Sequence, residues 1–93
     1  MVQEAGEGKI RAMYITGEET AFADADSENV HAAFSRLEFM VVQDIFMLLT
    51  AVFADVVLPG APSVEKEGTF VNTERRIQHF SPAMKPLGDC RPD

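Results

Sequence analysis

Three polar groups interrupt otherwise apolar stretches of this chain, and their residue types suit the holding of a phosphorylated ligand. Gly17-Glu18-Glu19 comes shortly after the apolar run Ala12-Met13-Tyr14-Ile15. A glycine placed just after a strand lets backbone N–H groups approach a phosphate closely. Gln43-Asp44 follows Phe39-Met40-Val41-Val42, and an acid there accepts from ribose hydroxyls or from the N–H edge of guanine. Asn72, Glu74, Arg75 and Gln78 bring amide, carboxylate and guanidinium groups close together. That mixture suits a purine edge or a pyrophosphate. Each group also has a plainer reading: a β-turn with two solvated acids, a helix N-cap, a surface hairpin. On spacing alone the plainer reading is the stronger, since the chain has neither GxGxxG nor a Walker loop.

The other reactive residue types form no catalytic set. His31 and His79 have no partner at metal-ligand spacing and read as structural or surface residues. Cys90 lies in a Pro/Gly-rich tail with only Arg91 as a nearby cation, and a reactive thiolate needs a better-fixed positive partner. Met13, Met40 and Met47 read as core filler. Glu65-Lys66-Glu67-Gly68 reads as a solvated charge run. No Ser/His/Asp order and no HExxH is present.

The elements that must position these groups follow from periodicity. Ile10–Ile15 predicts a strand whose last four residues are apolar, as in a parallel strand covered on both faces. Thr16–Thr20 breaks the pattern, and the loop continues through Asp24 and Asp26. Ser27–Leu37 predicts a helix, with Val30, Ala33, Phe34 and Leu37 on one face. Asp26 or Ser27 would cap it, and Glu28 complements its dipole. Phe39–Val42 predicts a second strand, Ile45–Ala54 a second helix, and Asp55–Leu58 a third strand. Pro59, Gly60 and Pro62 then form a loop. Gly68–Val71 and Arg75–Phe80 read as two arms of a hairpin around Asn72-Thr73-Glu74.

The fold expected is therefore α/β: a small parallel, three-layer βαβαβ (Rossmann-like) unit with a hairpin-like segment. Residues 1–8 are expected as a flexible lead-in, residues 9–80 as the ligand-binding region, and residues 81–93 as an irregular, truncated tail. In such a sheet, ligands sit outside the carboxyl ends of the strands. Here those ends are Thr16-Gly17-Glu18, Gln43-Asp44 and Pro59-Gly60.

The 93 residues allow one small domain. A net charge of -7 argues against non-specific nucleic-acid binding. No apolar run reaches the roughly 18 residues of a membrane helix, so no membrane insertion is expected. One cysteine allows no internal disulfide and no four-cysteine metal or iron–sulfur site. It fits a reducing compartment, and a cytoplasmic location is the expectation. Open strand edges make dimerisation of the chain by itself an expectation too.

At these same residues the chain resembles a known family. KIRAMYITGEE, LEFMVVQDIF, TAVFADVVLP and EKEGTFVNTERRIQ, in this order and close spacing, are similar to the molybdopterin oxidoreductases. The nearest likeness is to catalytic α subunits of formate dehydrogenase, and it covers residues 9–93. The resemblance implies a bis-molybdopterin guanine dinucleotide cofactor carrying molybdenum or tungsten. It implies that the segment is one cofactor-binding region of a longer enzyme that oxidises formate to carbon dioxide and passes electrons through iron–sulfur centres to an acceptor. Partners would be the rest of that catalytic chain and electron-transfer subunits. Cofactor-cradling positions carried over are Gly17, Glu18, Gln43, Asp44, Thr50, Gly68, Asn72, Glu74 and Arg75.

Two departures stand out. The family often continues Gly-Glu with Asn-Pro, where this chain has Glu19-Thr20. It also usually places a threonine where this chain has Leu48, leaving only Thr50. The metal-ligating cysteine or selenocysteine, its histidine and arginine, and the cluster cysteines would lie outside the segment. No catalytic or metal residue is therefore assigned. A nitrate reductase of the same family is the alternative, and a stand-alone flavodoxin-like binding module is the alternative from another class.

Overall fold

The computed structural model describes residues 1–93. Its elements run α1 (Val2–Gly6), β1 (Ala12–Thr16), α2 (Thr20–Ala23), α3 (Ser27–Phe34), β2 (Phe39–Asp44), α4 (Leu49–Val52) and β3 (Val56–Pro59). A single 3-10 turn at Ser63–Glu65 then leads into β4 (Gly68–Val71) and β5 (Ile77–Phe80). β1, β2 and β3 form a parallel sheet in that spatial order, and β4 pairs with β5 antiparallel. The α/β class and the hairpin follow the sequence expectation.

Register fixes which side chains share a face. Tyr14 lies beside Val41, which lies beside Val56, while Ile15 lies beside Val42 and Val42 beside Val57. Side chains alternate along a strand, so Met13, Ile15, Met40, Val42 and Val57 share one face. That face meets Ala21, Val30, Phe34 and Ala51 from the helices in one apolar cluster. The Phe34 and Phe53 rings add an edge-on contact with centroids 5.8 Å apart.

The opposite face is bare. Tyr14 is 58% exposed, Phe39 46%, Val56 39% and Leu58 41%. The expected three-layer unit is thus a two-layer one, and β1 is covered on one side rather than both. Right-handed crossovers that step the same way across a sheet set both helices on the same side, which accounts for the asymmetry.

Several boundaries differ from expectation. The lead-in is not simply loop: residues 2–6 form α1, which packs on α3 and fully buries Ala5. Thr20–Ala23, expected as loop, forms the single turn α2. Helix α3 stops at Phe34 rather than Leu37, and Asp26 at its N-cap makes no side-chain capping bond to the backbone. Instead its carboxylate accepts from Asn29 Nδ2. The helix expected over Ile45–Ala54 shrinks to Leu49–Val52. The Asp44 Oδ1 atom accepts the Ile45 amide at 2.6 Å, and a local side-chain bond of this kind competes with helix formation.

Strand β2 also runs two residues further than expected, because Gln43 pairs beside Thr16 and Leu58, and Asp44 beside Pro59. The tail has no regular element, yet one residue ties it to the sheet. Arg91 donates its amide to Pro59 O (2.9 Å) and accepts from the Ala61 amide (2.8 Å).

Candidate functional site

The carboxyl ends of β1, β2 and β3 frame a cleft of about 250 Å³. Thr16 and Gly17 line it from the first strand, Gln43, Asp44 and Ile45 from the second, and Gly60, Ala61 and Pro62 from the third. Lys66 and Asp93 close it from the side and pair with each other as an ion pair. The Lys66 ammonium beside Asp93 holds that carboxyl below the usual aspartate range.

Gly17 turns the chain away from β1 with φ +62, and a side chain there would meet nothing within 4 Å. The left-handed backbone is what demands glycine, and the open space leaves the turn approachable by a ligand. Its amide is committed to Gln43 O at 2.9 Å, tying the first strand end to the second. Gly60 is needed for a different reason. A Cβ at this position would stand 3.1 Å from the Asp44 carbonyl carbon and 3.3 Å from its oxygen. The Gly60 amide donates to that same oxygen at 2.9 Å.

Gln43 is 6% exposed, and both ends of its amide make a hydrogen bond. The Tyr14 phenol donates to Oε1, and Nε2 donates to Arg91 O at 3.1 Å. Gln43 therefore props the floor of the cleft and pins the tail over it. Asp44 is half-buried. Its Oδ1 takes the turn amide of Ile45, while Oδ2 has no hydrogen bond within the protein. The cleft thus offers one free carboxylate oxygen, a lysine already paired with Asp93, and a bare glycine turn.

Of the residues carried over from the resemblance, Gly17, Gln43 and Asp44 meet at this cleft. The others do not line it. Glu18 faces a separate groove along the β1 edge. Thr50 is 1% exposed, and its hydroxyl accepts the Ala21 amide at 2.9 Å. Asn72 organises the hairpin tip, its side-chain oxygen accepting from the Glu74 and Arg76 amides at 2.9 and 3.0 Å. Arg75 holds that tip in a left-handed conformation, φ 62. Glu74 is exposed there and pairs with Arg76. Gly68 lies against the Phe80 ring, beside a different hollow of the hairpin.

Sequence reasoning missed Lys66 and Asp93 as site residues, and it placed Gly60 at a strand end without giving it a role. Lys66 was hidden in a charge run that reads as solvated, and Asp93 has no local signal. Gly60 carried one: a glycine at a strand end where the backbone of a neighbour must come close.

No group of three or more His, Cys, Asp or Glu side chains is placed to hold a metal ion. No helix is long and apolar enough to cross a membrane.

Parallel strands ending in a polar, glycine-lined cleft place these groups at the sheet edge where open α/β sheets bind ligands. The family model for molybdopterin oxidoreductases matches residues 1–93, and the chain belongs to that oxidoreductase family. It is 54% identical over all of its length to "Probable oxidoreductase YjgC" of Bacillus subtilis (strain 168). It is 55% identical over all of its length to "Putative formate dehydrogenase SAR2393" of Staphylococcus aureus (strain MRSA252). A counterpart in Staphylococcus aureus (strain bovine RF122 / ET3-1), "Putative formate dehydrogenase SAB2186c", is also 55% identical. The chain spans 9% of the first of these relatives and 10% of the other two. Family membership implies a molybdopterin cofactor with molybdenum or tungsten.

Proposed function

We propose that these 93 residues are a cofactor-binding part of a longer formate dehydrogenase, and that the strand-end cleft holds one end of a molybdopterin guanine dinucleotide. The observation that carries this reading is the convergence of Gly17, Gln43 and Asp44 on one cleft in a chain of this family. The sheet would then serve as part of a Rossmann-like cradle completed by the rest of the polypeptide.

The residues fit such a group in kind. Asp44 Oδ2 is an acceptor suited to guanine N–H groups or ribose hydroxyls. Lys66 is a point charge suited to phosphate. Gly17 lets the backbone come close without a side chain in the way. They also limit it in size, because about 250 Å³ is below the 300–1,000 Å³ range of drug-sized pockets. The cleft accommodates a base or a sugar, and the remaining length of the cofactor would lie against other parts of the protein.

When bound, the cofactor supplies the two-electron redox chemistry at its metal. This chain's own residues orient one arm of it. Gln43 keeps the floor rigid by bonding both Tyr14 and the tail. Asp44 fixes the orientation of whatever donor it meets. No proton or electron step falls to the residues of this chain.

The test is formate-dependent reduction of a viologen dye by the full-length protein, with metal content read on the same sample. Turnover with bound molybdenum or tungsten supports the reading. Bound metal without formate turnover moves the substrate to another of the family, nitrate first. Neither metal nor turnover in a matured preparation overturns the cofactor-binding role.

A further inference from the structure

One ion pair stands between two cavities. Lys66 Nζ and Asp93 Oδ1 bond each other, and both residues line the strand-end cleft on one side and a hollow beside the hairpin on the other. No other residue lines both. The cleft is about 250 Å³ and the hollow about 730 Å³. Lys66 is also the only lysine or arginine lining either of them.

The other donors at the cleft are spent. The amides of Gly17, Gly60 and Ala61 go to the carbonyl oxygens of Gln43, Asp44 and Arg91, and the Ile45 amide goes to Asp44 Oδ1. An anionic ligand therefore finds one strong donor there, the Lys66 ammonium, and Asp93 already holds it.

The backbones behind the pair are anchored, and the pair itself is not. Glu65, next to Lys66, is 7% exposed, and its carboxylate accepts the Leu87 amide at 3.1 Å. Arg91, two residues before Asp93, bonds Pro59 and Ala61 through its backbone. Beyond those anchors the two side chains are partly open to solvent and bond no other side chain. A pair of this kind contributes little to stability, so it can part by side-chain rotation while the chain stays in place.

We infer that the Lys66–Asp93 pair is a gate opened by a diphosphate: the phosphate takes Lys66 from Asp93, and the cleft and the hollow become one site. The nucleoside then lies in the cleft, and the diphosphate runs past Lys66 into the hollow. The inference deepens the reading of the cleft as a nucleotide site and rests on it. A terminal phosphate carries about two negative charges and three acceptor oxygens, against the single charge of a carboxylate, so it outcompetes Asp93 for the ammonium. Asp93 is left beside a like charge and turns away. The hollow suits what enters it. Ser63, Thr69 and Ser81 line it with hydroxyls, and its other acid, Glu67, faces His79 at 3.5 Å.

The experiment titrates the full-length protein, prepared without its cofactor, with guanosine and with guanosine diphosphate. Wild type is expected to bind both. Asp93→Asn removes the competitor for Lys66, so the diphosphate should bind about three- to ten-fold tighter, with guanosine unchanged. Lys66→Met should weaken the diphosphate about ten-fold and leave guanosine unchanged. In the Lys66→Met background, Asp93→Asn should have no further effect, because a gate acts through Lys66 whereas a bare charge acts in both backgrounds. Asp93→Glu, which can pair again, should return to the wild-type affinity. An equal gain from Asp93→Asn in both backgrounds, or a gain in neither, overturns the gate and leaves the nucleotide site standing. Binding of neither ligand by the wild type refutes that site and the gate with it. If the asparagine variant does not fold, Lys66→Met decides: unchanged diphosphate affinity overturns the gate.

Discussion

Glu19 and Thr50 clasp the loops after β1 and β2 to one another. The Glu19 carboxylate accepts the Thr50 amide at 3.0 Å, and the Thr50 hydroxyl accepts the amide of Ala21 at 2.9 Å. Both bonds satisfy amides at helix N-termini, α4 and α2, that have no partner within their own helix. The two helices are four residues each, too short to stand without such support. Glu19, one of the two departures from the resemblance, is thus used structurally.

Thr50→Val removes the hydroxyl at nearly constant volume and leaves the Ala21 amide buried without a partner. A loss of about 1–3 kcal/mol is expected for a buried donor left unsatisfied. Hydrogen exchange at the Ala21 amide should accelerate, and Thr50→Ser should restore protection. Unchanged exchange at Ala21 in the valine variant would show that the clasp does not hold α2.

How far this was legible in the sequence can be seen at particular residues. The three strands were readable because Ala12–Ile15, Phe39–Val42 and Val56–Leu58 are short apolar runs bounded by polar or turn residues. The strand-end location of the cleft followed from topology alone. The bond of Thr50 was not legible, because a threonine after a strand looks the same whether its hydroxyl meets a ligand or the amide of Ala21, which lies 29 positions away. The helix at Ile45–Ala54 was overextended because Ile45, Leu48 and Leu49 have helical spacing, and the Asp44 side chain overrides it. The bare sheet face was invisible, since an apolar run does not say which neighbour buries it.

Gly60→Ala tests the close approach of β3's end to β2. The added Cβ would press on backbone atoms of Asp44 at 3.1 and 3.3 Å, and backbone cannot rotate away as a side chain does. A destabilisation of about 1–3 kcal/mol is expected, with displacement of Asp44. Cofactor content of the full-length protein should fall with it. Gly17→Ala should differ, because its cost of about 1–2 kcal/mol comes from the left-handed backbone rather than from a clash and leaves Asp44 in place. Equal effects at the two glycines would refute this distinction.

Glu38 is held below the usual glutamate range by the Arg11 guanidinium, which donates to both its oxygens at 2.7 and 2.6 Å. A carboxyl whose folded pKa is depressed adds stability above its unfolded value, and that contribution is lost as pH falls through the folded one. The pair therefore supports the start of the β1–β2 ladder at neutral pH and releases it in acid. Carboxylate-resolved NMR titration of the 93-residue chain should show Glu38 titrating low. In Arg11→Met it should return to the ordinary range, with little change in stability, because both side chains are exposed.

Asp44 is the residue on which the functional reading most depends, and two substitutions separate its two jobs. Its Oδ1 closes the turn by accepting the Ile45 amide, and its Oδ2 is the acceptor offered to the cofactor. Asp44→Asn keeps an oxygen for the turn and loses the charge. Asp44→Ala loses both. A hydrogen bond to a charged group is worth about 1.5–3 kcal/mol, which corresponds to roughly 10- to 100-fold in affinity. Guanine and metal content of the full-length protein should therefore fall in both variants. If the asparagine variant retains full occupancy while the alanine variant loses it, Asp44 serves only the turn. The nucleotide end must then be held elsewhere, with Lys66 the cation left in the cleft.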